Sequence, residues 1–199
     1  MPKRAPAATI TGVNVYLRPP RLSDAGAFQA AVRASTALHQ GWTTAPRTPA
    51  RFARFVHRYA ARGKQPIHAG YLVFRRDDDA LVGVYNFSEI VRGAFQSAFL
   101  GYFAFAPLAG KGLMTEGMAA ALDIAFRKLK LHRVEVNIQP TNSRSLALAT
   151  RLGFTREGFS RRYVKISGRW RDHIRLAMLA EDWQKLRREH RFARKDCET

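Results

Sequence analysis

The spacing of apolar and polar residues predicts strands and helices in alternation along the chain. Short apolar or period-two runs predict strands at residues 13–18, 69–75, 81–91, 98–105, 132–138, 156–166 and 170–179. Helices are predicted within residues 23–35 and 49–62, at about 113–129, from the Asn142 cap to about 151, and from about 181. The last two strands should pair antiparallel across a turn at Ser167 and Gly168. This order indicates an α/β (α+β) protein.

The helix predicted from residue 113 has one apolar face. Its apolar residues recur every three or four positions: Met118, Ala121, Leu122, Ala125, Phe126 and Leu129. A face of this kind packs on a sheet, so these side chains are predicted to be core and not ligand contacts.

A glycine-spaced turn, Pro107-Leu108-Ala109-Gly110-Lys111-Gly112, precedes this helix and follows the aromatic-rich strand. The two glycines would let the backbone come close to a ligand, and the unpaired N–H groups of the first helical turn would point at it. Helix N-termini of this kind bind anions, so the turn predicts a pyrophosphate site. A simple tight turn is the alternative, and the two glycines alone do not exclude it.

Composition favours a single domain over residues 1–199, with a core of about 10–185 and a basic helix or tail at 185–199. The chain has 199 residues, is 46% hydrophobic, and has no fixed-period repeat, long polar linker, membrane-length apolar run or signal-peptide core. We expect a cytoplasmic protein with no membrane contact. The lone cysteine, Cys197, lies near a charged terminus and is an improbable nucleophile; the six histidines lack metal-ligand spacing, so no metal is predicted.

The net charge of +19 exceeds what one anionic ligand needs. Basic residues recur at 47–62, 156–171 and 185–195, and could bring the protein to an RNA-rich surface such as a ribosome. A genome that encodes arginine often explains the same composition equally well. Contact with rRNA is therefore a nonspecific possibility at this stage.

Several segments together resemble the GNAT acetyltransferase superfamily, and within it the RimJ-like branch that acetylates the N-terminal amine of ribosomal proteins. The resemblance spans roughly residues 10–185. It is carried by segments 82–88, 91–93, 100–102, 110–114, 131–133, 140–142, 151–154, 168–173 and 182–183, which read VGVYNFS, VRG, LGY, GKGLM, LHR, PTN, RLGF, GRWRDH and DW.

The resemblance implies a mixed, twisted, V-shaped sheet of about seven strands, with acetyl-CoA in the gap between two central strands. Backbone at Phe103, Ala104 and Phe105 would pair with the pantetheine amides. The residues implied at the coenzyme phosphates are Ala109, Gly110, Lys111, Gly112, Leu113, Met114 and Thr115, with Asn142 touching the coenzyme from the following helix. The implied acceptor side includes His39, Trp42, Asn86 and Tyr102; a surface histidine is the alternative for His39.

Two departures from the superfamily pattern matter. Ala109 stands where Gln or Arg is usual, so phosphate binding should depend on backbone donors and Lys111. Ala149 stands where many members have a tyrosine general acid. Ser145 is the substitute that the resemblance implies for protonating the departing thiolate; the alternative is that it only solvates a helix end.

Acetyl transfer requires a neutral amine in line with the thioester carbonyl, a hydrogen-bond donor to the oxyanion and a proton donor to the sulfur. It needs no covalent enzyme intermediate. A backbone N–H freed by a bulge within residues 100–105 is expected to stabilise the oxyanion. Glu89, Glu135 and His39 are the candidate bases, although each has a structural alternative. An α-amine, with a pKa of about 7.7–8.0, is about a tenth neutral at pH 7, whereas a lysine amine is roughly 400-fold less so. The lack of an obvious base therefore favours an α-amine acceptor.

Three functions remain open from the sequence. The favoured one is an acetyl-CoA-dependent N-acetyltransferase that acts on a protein N-terminus, such as that of a ribosomal protein. The second is a small-molecule amine acetyltransferase acting on an antibiotic or polyamine, for which a strongly basic acceptor mouth would be unfavourable. The third is a nonenzymatic RNA-associated protein that keeps the fold.

Overall fold

In the computed structural model, which describes residues 9–60 and 65–189, the strands form one eight-stranded sheet. They are β1 (Ile10–Thr11), β2 (Val15–Arg18), β3 (Ala69–Arg75), β4 (Leu81–Val91), β5 (Ser97–Ala104), β6 (Arg133–Ile138), β7 (Thr155–Ile166) and β8 (Arg169–Leu179). The order across the sheet is β1-β2-β3-β4-β5-β6-β8-β7. Only the β5–β6 pair is parallel among these described strands. The mixed sheet confirms the predicted fold class.

The first predicted strand is a small hairpin. The chain turns at Gly12, whose N–H donates to the Val15 carbonyl at 2.7 Å, so that Ile10 pairs with Leu17. This adds the eighth strand. The turn predicted between β7 and β8 is confirmed, with Ser167 at φ 48° and Gly168 at φ 82°, as a two-residue hairpin requires.

Six helices flank the sheet in the described residues. They are α1 (Ala25–Ala34), α2 (Thr36–His39), α3 (Pro49–Tyr59), α4 (Leu113–Asp123), α5 (Ser143–Arg151) and α6 (Ala180–Glu189). A π-helical turn, Ile124–Lys128, continues α4. The predicted helix end at Arg62, the basic segment beyond residue 189 and Cys197 lie outside the described residues. No helix within residues 9–60 and 65–189 is long and apolar enough to cross a bilayer.

The core lies on both faces of the sheet. On one face, Phe28 of α1 and Phe52 of α3 pack with ring centroids 4.5 Å apart and ring planes tilted by 37°. On the other face, α4 buries Met118 and Leu122 completely. The predicted apolar face of α4 is thus confirmed, with only Leu129 partly exposed at its end.

The sheet opens between β5 and β6. Their parallel pairing comprises Ser97 with Arg133, Ala98 with Val134 and Phe99 with Glu135, and it stops there. Beyond this point β5 remains paired with β4, while β6 remains paired with β8. The two strands therefore diverge toward their C-terminal ends, which confirms the predicted V shape.

The predicted bulge is in a different strand. The β4–β5 register is continuous from Leu100 to Ala104 and shifts only between Ser88 and Val91. Glu89 has φ 50° within this shift. The extra residue therefore lies in β4, and the bulge predicted within residues 100–105 is wrong.

Candidate active site

A cleft of about 910 Å³ lies where β5 and β6 diverge. The C-terminal half of β5, the start of α4, the end of β6, the start of α5 and helix α2 line it. The sequence-predicted site residues in its lining are His39, Trp42, Asn86, Tyr102, Phe103, Ala104, Ala109, Gly110, Gly112, Met114, Thr115, Asn142 and Ser145. The fold thus brings most of the predicted site together.

An open strand edge forms one wall of the cleft. The N–H of Phe105 donates to the Val82 carbonyl at 2.8 Å, on the β4 side. Because backbone groups alternate in direction along an antiparallel strand, Leu100, Tyr102 and Ala104 direct their N–H and C=O groups to the opposite side. Phe105 itself is fully buried and does not line the cleft. The backbone groups of Phe103 and Phe105 therefore point toward β4, and the structure does not support their expected pairing with the coenzyme. The backbone of Ala104, the third residue expected there, does face the cleft.

The start of α4 has the geometry of an anion-binding turn. Gly110 and Gly112 have φ 82° and 78°, a conformation that favours glycine, and a Cβ on either would meet no protein atom within 4 Å. The N–H of Thr115 donates to the Gly112 carbonyl at 2.9 Å. The N–H groups of Leu113 and Met114 precede it and have no carbonyl four residues back within the helix. These backbone donors are available to an anion at the cleft wall.

Two predicted phosphate contacts do not line the cleft with their side chains. Lys111 is exposed beside the turn, and Leu113 packs against the hydrophobic core. Glu116, in the first turn of α4, faces away from the cleft and accepts hydrogen bonds from the N–H and side chain of Asn14 at 2.8 and 3.0 Å. Its carboxylate therefore does not compete with an anion at the helix start.

Residues of β4 hold the first turn of α4 in position. The Tyr85 hydroxyl donates to the Met114 carbonyl, and burial raises the pKa of Tyr85 well above its ordinary value. At Gly83, an added Cβ would lie 2.5 Å from Met114 Sδ and 2.7 Å from the Phe103 carbonyl oxygen. The absence of a side chain at Gly83 therefore lets α4 approach the sheet next to the cleft.

The start of α5 faces this turn across the cleft. Asn142 Oδ1 caps the helix by accepting the N–H of Ser145 at 3.2 Å. The Tyr102 hydroxyl donates to the Ser145 carbonyl at 3.1 Å, and burial raises the pKa of Tyr102 to about 12. The main chain of Ser145 is thus held from both sides. Its hydroxyl has no hydrogen-bond partner within the described residues and remains able to act on a ligand.

His39 is a buried residue of the cleft, not a surface histidine. It is 4% exposed, and its Nε2–H donates to the Ala104 carbonyl at 2.7 Å. Burial lowers the pKa of His39, and the nearby Arg47 acts in the same direction, against the opposing effect of the Ala104 hydrogen bond. The neutral imidazole therefore ties α2 to the open edge of β5.

The two predicted carboxylate bases lie outside the cleft lining. Glu89 is exposed and faces Arg58, with Oε1 3.6 Å from Nη2. Glu135 accepts a hydrogen bond from Arg133 Nε at 2.9 Å, and the same guanidinium binds Glu157, whose pKa it lowers. Glu135 is held by Arg133 and Glu89 lies near an exposed arginine, both away from the cleft, so the structure does not support their predicted role as general base.

Of the cleft residues that were not predicted, three have polar groups that bear on its chemistry or shape. His173 is 3% exposed, its Nδ1–H donates to the Arg171 carbonyl at 2.9 Å, and burial lowers its pKa. Asn137 Oδ1 is buried without a hydrogen-bond partner in the described part of the chain. Gln139 Nε2 donates to the Gly41 carbonyl at 2.8 Å, joining the end of β6 to the segment after α2. Two of them had a signal in the sequence: His173 lies in the segment 168–173 of the family resemblance, and the alternation of β6 puts Asn137 on the face of Glu135.

Comparisons with known proteins agree with this geometry. The chain is 42% identical over 111 residues to the [Ribosomal protein uS5]-alanine N-acetyltransferase of Escherichia coli (strain K12), which covers 56% of this chain and 57% of that protein. It is 44% identical over 110 residues to YjcK of Bacillus subtilis (strain 168), covering 55% of this chain and 61% of that protein. The chain thus spans about three fifths of the length of these curated relatives.

The fold also matches solved structures. Mycobacterium smegmatis RimJ, solved in complex with CoA-disulfide, superposes with a TM-score of 0.76 at 26% sequence identity, covering 88% of each chain. The family model for the acetyltransferase (GNAT) domain matches residues 14–155, which include β5, the glycine turn, α4 and the start of α5. With this match over most of its length, the chain belongs to the GNAT acetyltransferase family.

Proposed function

We propose that the protein transfers an acetyl group from acetyl-CoA to the N-terminal α-amine of a protein, with a ribosomal protein as the favoured acceptor. The main structural support for this proposal is the cleft, which combines the open β5 edge with the free amides at the start of α4. The ribosomal acceptor is supported by the name of the Escherichia coli relative.

The donor set fits the coenzyme in two places. The outward C=O of Tyr102 and N–H of Ala104 suit the amides of an extended pantetheine arm, which can pair with them as a further strand would. The Ala104 carbonyl already accepts the hydrogen bond from His39. The amides of Leu113 and Met114 suit a pyrophosphate. Ala109 carries no side-chain donor, so backbone groups carry this part of the binding.

Groups of the protein would then stabilise the acyl oxygen and protonate the leaving sulfur. Acetyl-CoA supplies the acetyl group as a thioester. The N–H of Tyr102, which the pantetheine pairing leaves free, can stabilise negative charge on the acyl oxygen, in a site whose donors are fixed before the reaction. The Ser145 hydroxyl lies on the wall facing β5 and can give its proton to the departing sulfur.

The cleft favours an amine that needs little help to lose its proton. Its lining within the described residues contains no Asp or Glu, and its two histidines are buried with lowered pKa values. An α-amine at pKa about 7.7–8.0 supplies a usable neutral fraction at pH 7, whereas a lysine amine or a polyamine does not. Neutral His39 or His173 can accept the remaining proton, directly or through water.

The test is acetylation of matched peptides. Peptides that differ only at residue one, a peptide with a blocked N-terminus and an internal lysine, and spermidine are incubated with acetyl-CoA, and the products are identified by mass. The proposal expects mass gain only on free N-termini. Modification confined to the blocked lysine peptide or to spermidine would exclude it.

Ser145→Ala tests the proton donor. The variant should lower kcat by roughly 10²-fold or more while the Kd for coenzyme A changes by less than about twofold, because only the hydroxyl is lost and the N-cap remains. An unchanged kcat would exclude Ser145 as the donor.

A further inference from the structure

A second cavity of about 650 Å³ adjoins the cleft. Thr43, Asn86 and Phe103 line both spaces, so the two are continuous at these residues. Asn86 Oδ1 is buried and has no hydrogen-bond partner in the described residues, which leaves an acceptor for an N–H group at the junction. The second cavity lies on the acceptor side of the open strand edge, away from the glycine turn that faces the cleft.

One wall of this cavity is a row of arginines on α3. Arg51, Arg54 and Arg58 line it and are exposed, and their spacing of three and four residues places them on one helix face. No Asp or Glu is among its described lining residues or within α3. Glu89 reaches Arg58 at 3.6 Å, but both side chains are more than half exposed, so this pair neutralises little.

The row formed by Arg51, Arg54 and Arg58 lowers the stability of α3. Like charges three or four residues apart on a helix destabilise it. An adjoining face of α3 is fixed in the core by Phe52 and Val56, and Thr48 caps the helix by accepting the Arg51 N–H at 3.3 Å. Packing thus holds three positive charges toward the cavity without an anionic partner for Arg51 or Arg54 in the described residues. A ligand that brings negative charge would relieve this repulsion.

We infer that the second cavity selects acceptors with acidic side chains shortly after the N-terminal residue; this inference rests on the proposed function. The amine lies at the junction by Asn86 and Phe103, and the following residues run along the arginine face. Arg51 and Arg58 are seven residues apart, or roughly 10 Å along the helix, which an extended peptide crosses in about three residues. The selected acidic positions are therefore about residues two to five of the acceptor.

The same charges disfavour a polyamine. Its remaining ammonium groups would enter a space lined by guanidinium groups without a carboxylate among its described lining residues. The cavity thus separates the two acceptor classes by charge, not by size.

The test compares two peptides with the same first residue and length. One has Glu and Asp at positions two to five, and the other has Lys and Gln there. The full-length protein should acetylate the acidic peptide with a kcat/KM roughly tenfold higher at low salt, and this preference should shrink as ionic strength rises. Arg54→Glu should reduce or reverse the preference. Arg33→Glu, on an exposed position of α1 outside both cavities, is the matched control and should preserve it.

The outcomes separate this inference from the proposed function. If neither peptide is acetylated, the proposed function fails. If both are acetylated with equal kcat/KM, or if Arg54→Glu slows both equally, acidic selection is overturned while N-terminal acetylation stands. If Arg54→Glu leaves the peptide preference intact but abolishes binding of a single-stranded RNA, the arginine row is a nucleic-acid contact and the inference is also overturned.

Discussion

Gly112 offers a sharp test of the anion-binding turn, because its conformation has a matched counterpart elsewhere. Gly112 has φ 78° and Gly168 has φ 82°, and a Cβ on either would meet no protein atom within 4 Å. Gly112 lines the cleft, whereas Gly168 lies in the β7–β8 turn outside it. Alanine at either position therefore imposes the same backbone strain, but only Gly112 lines the cleft in which we propose that the coenzyme binds.

The expected magnitudes follow from this comparison. Alanine in the left-handed region costs about 1 kcal/mol relative to glycine, so both variants should melt about 2–4 °C lower. At Gly112 the methyl group also keeps a phosphate from the amides of α4. Losing one hydrogen bond to a charged group costs about 1.5–3 kcal/mol, or roughly a 10- to 100-fold increase in Kd for coenzyme A.

Calorimetric titration with coenzyme A and thermal melts of the two variants provide the measurement. Gly168→Ala should bind as the unmodified protein does. If Gly112→Ala binds coenzyme A with the same Kd as Gly168→Ala, the backbone amides at the start of α4 do not bind the phosphates, and the assignment of this turn is refuted.

Two further predictions concern stability. Gly83→Ala should lower stability by about 1–3 kcal/mol, because its methyl group meets Met114 and the Phe103 carbonyl, whereas Gly101→Ala, with open space at its Cβ, should cost less; equal melting temperatures would contradict this. Burial lowers the pKa of His39 and His173 below 6.5, so the unfolded chain takes up protons first as the pH falls. The contribution of these two histidines to the free energy of unfolding is therefore fully present above about pH 6.5 and decreases below it. His39→Gln should reduce the fall in melting temperature between pH 7.5 and 5.5, and an unchanged fall would remove His39 from this effect.

The sequence predicted the parts of the fold that depend on local pattern. Period-two and period-3.6 spacing located the long strands and α4, and turn chemistry located the Ser167–Gly168 hairpin. The short β1 strand was missed because two residues show no periodicity, and its pairing depends on the turn at Gly12.

The site was predictable where the backbone carries the chemistry. Gly110, Gly112 and Asn142 were recognisable because each has a local conformational reason to be there. The sequence could not place Glu89 and Glu135 relative to the cleft, because the position and role of a carboxylate depend on which cation it meets across the sheet. Arg58 and Arg133 are those cations, and sequence spacing does not reveal the pairing with Arg58. His173 was missed for the same reason, since its burial results from tertiary packing.

The divergence of β5 from β6 also limits which partners can reach an unpaired strand edge. An unpaired strand edge usually recruits another chain, which adds to it as an extra strand and begins aggregation. Here the part of the β5 edge at Tyr102 and Ala104 that no strand covers lies inside a cleft between α2, α4 and α5, where a whole second strand with its side chains would meet those walls. A slender ligand with few substituents can still reach it. The walls of the cleft therefore exclude a full β-strand from another chain and admit only ligands that are narrow enough to pass between them.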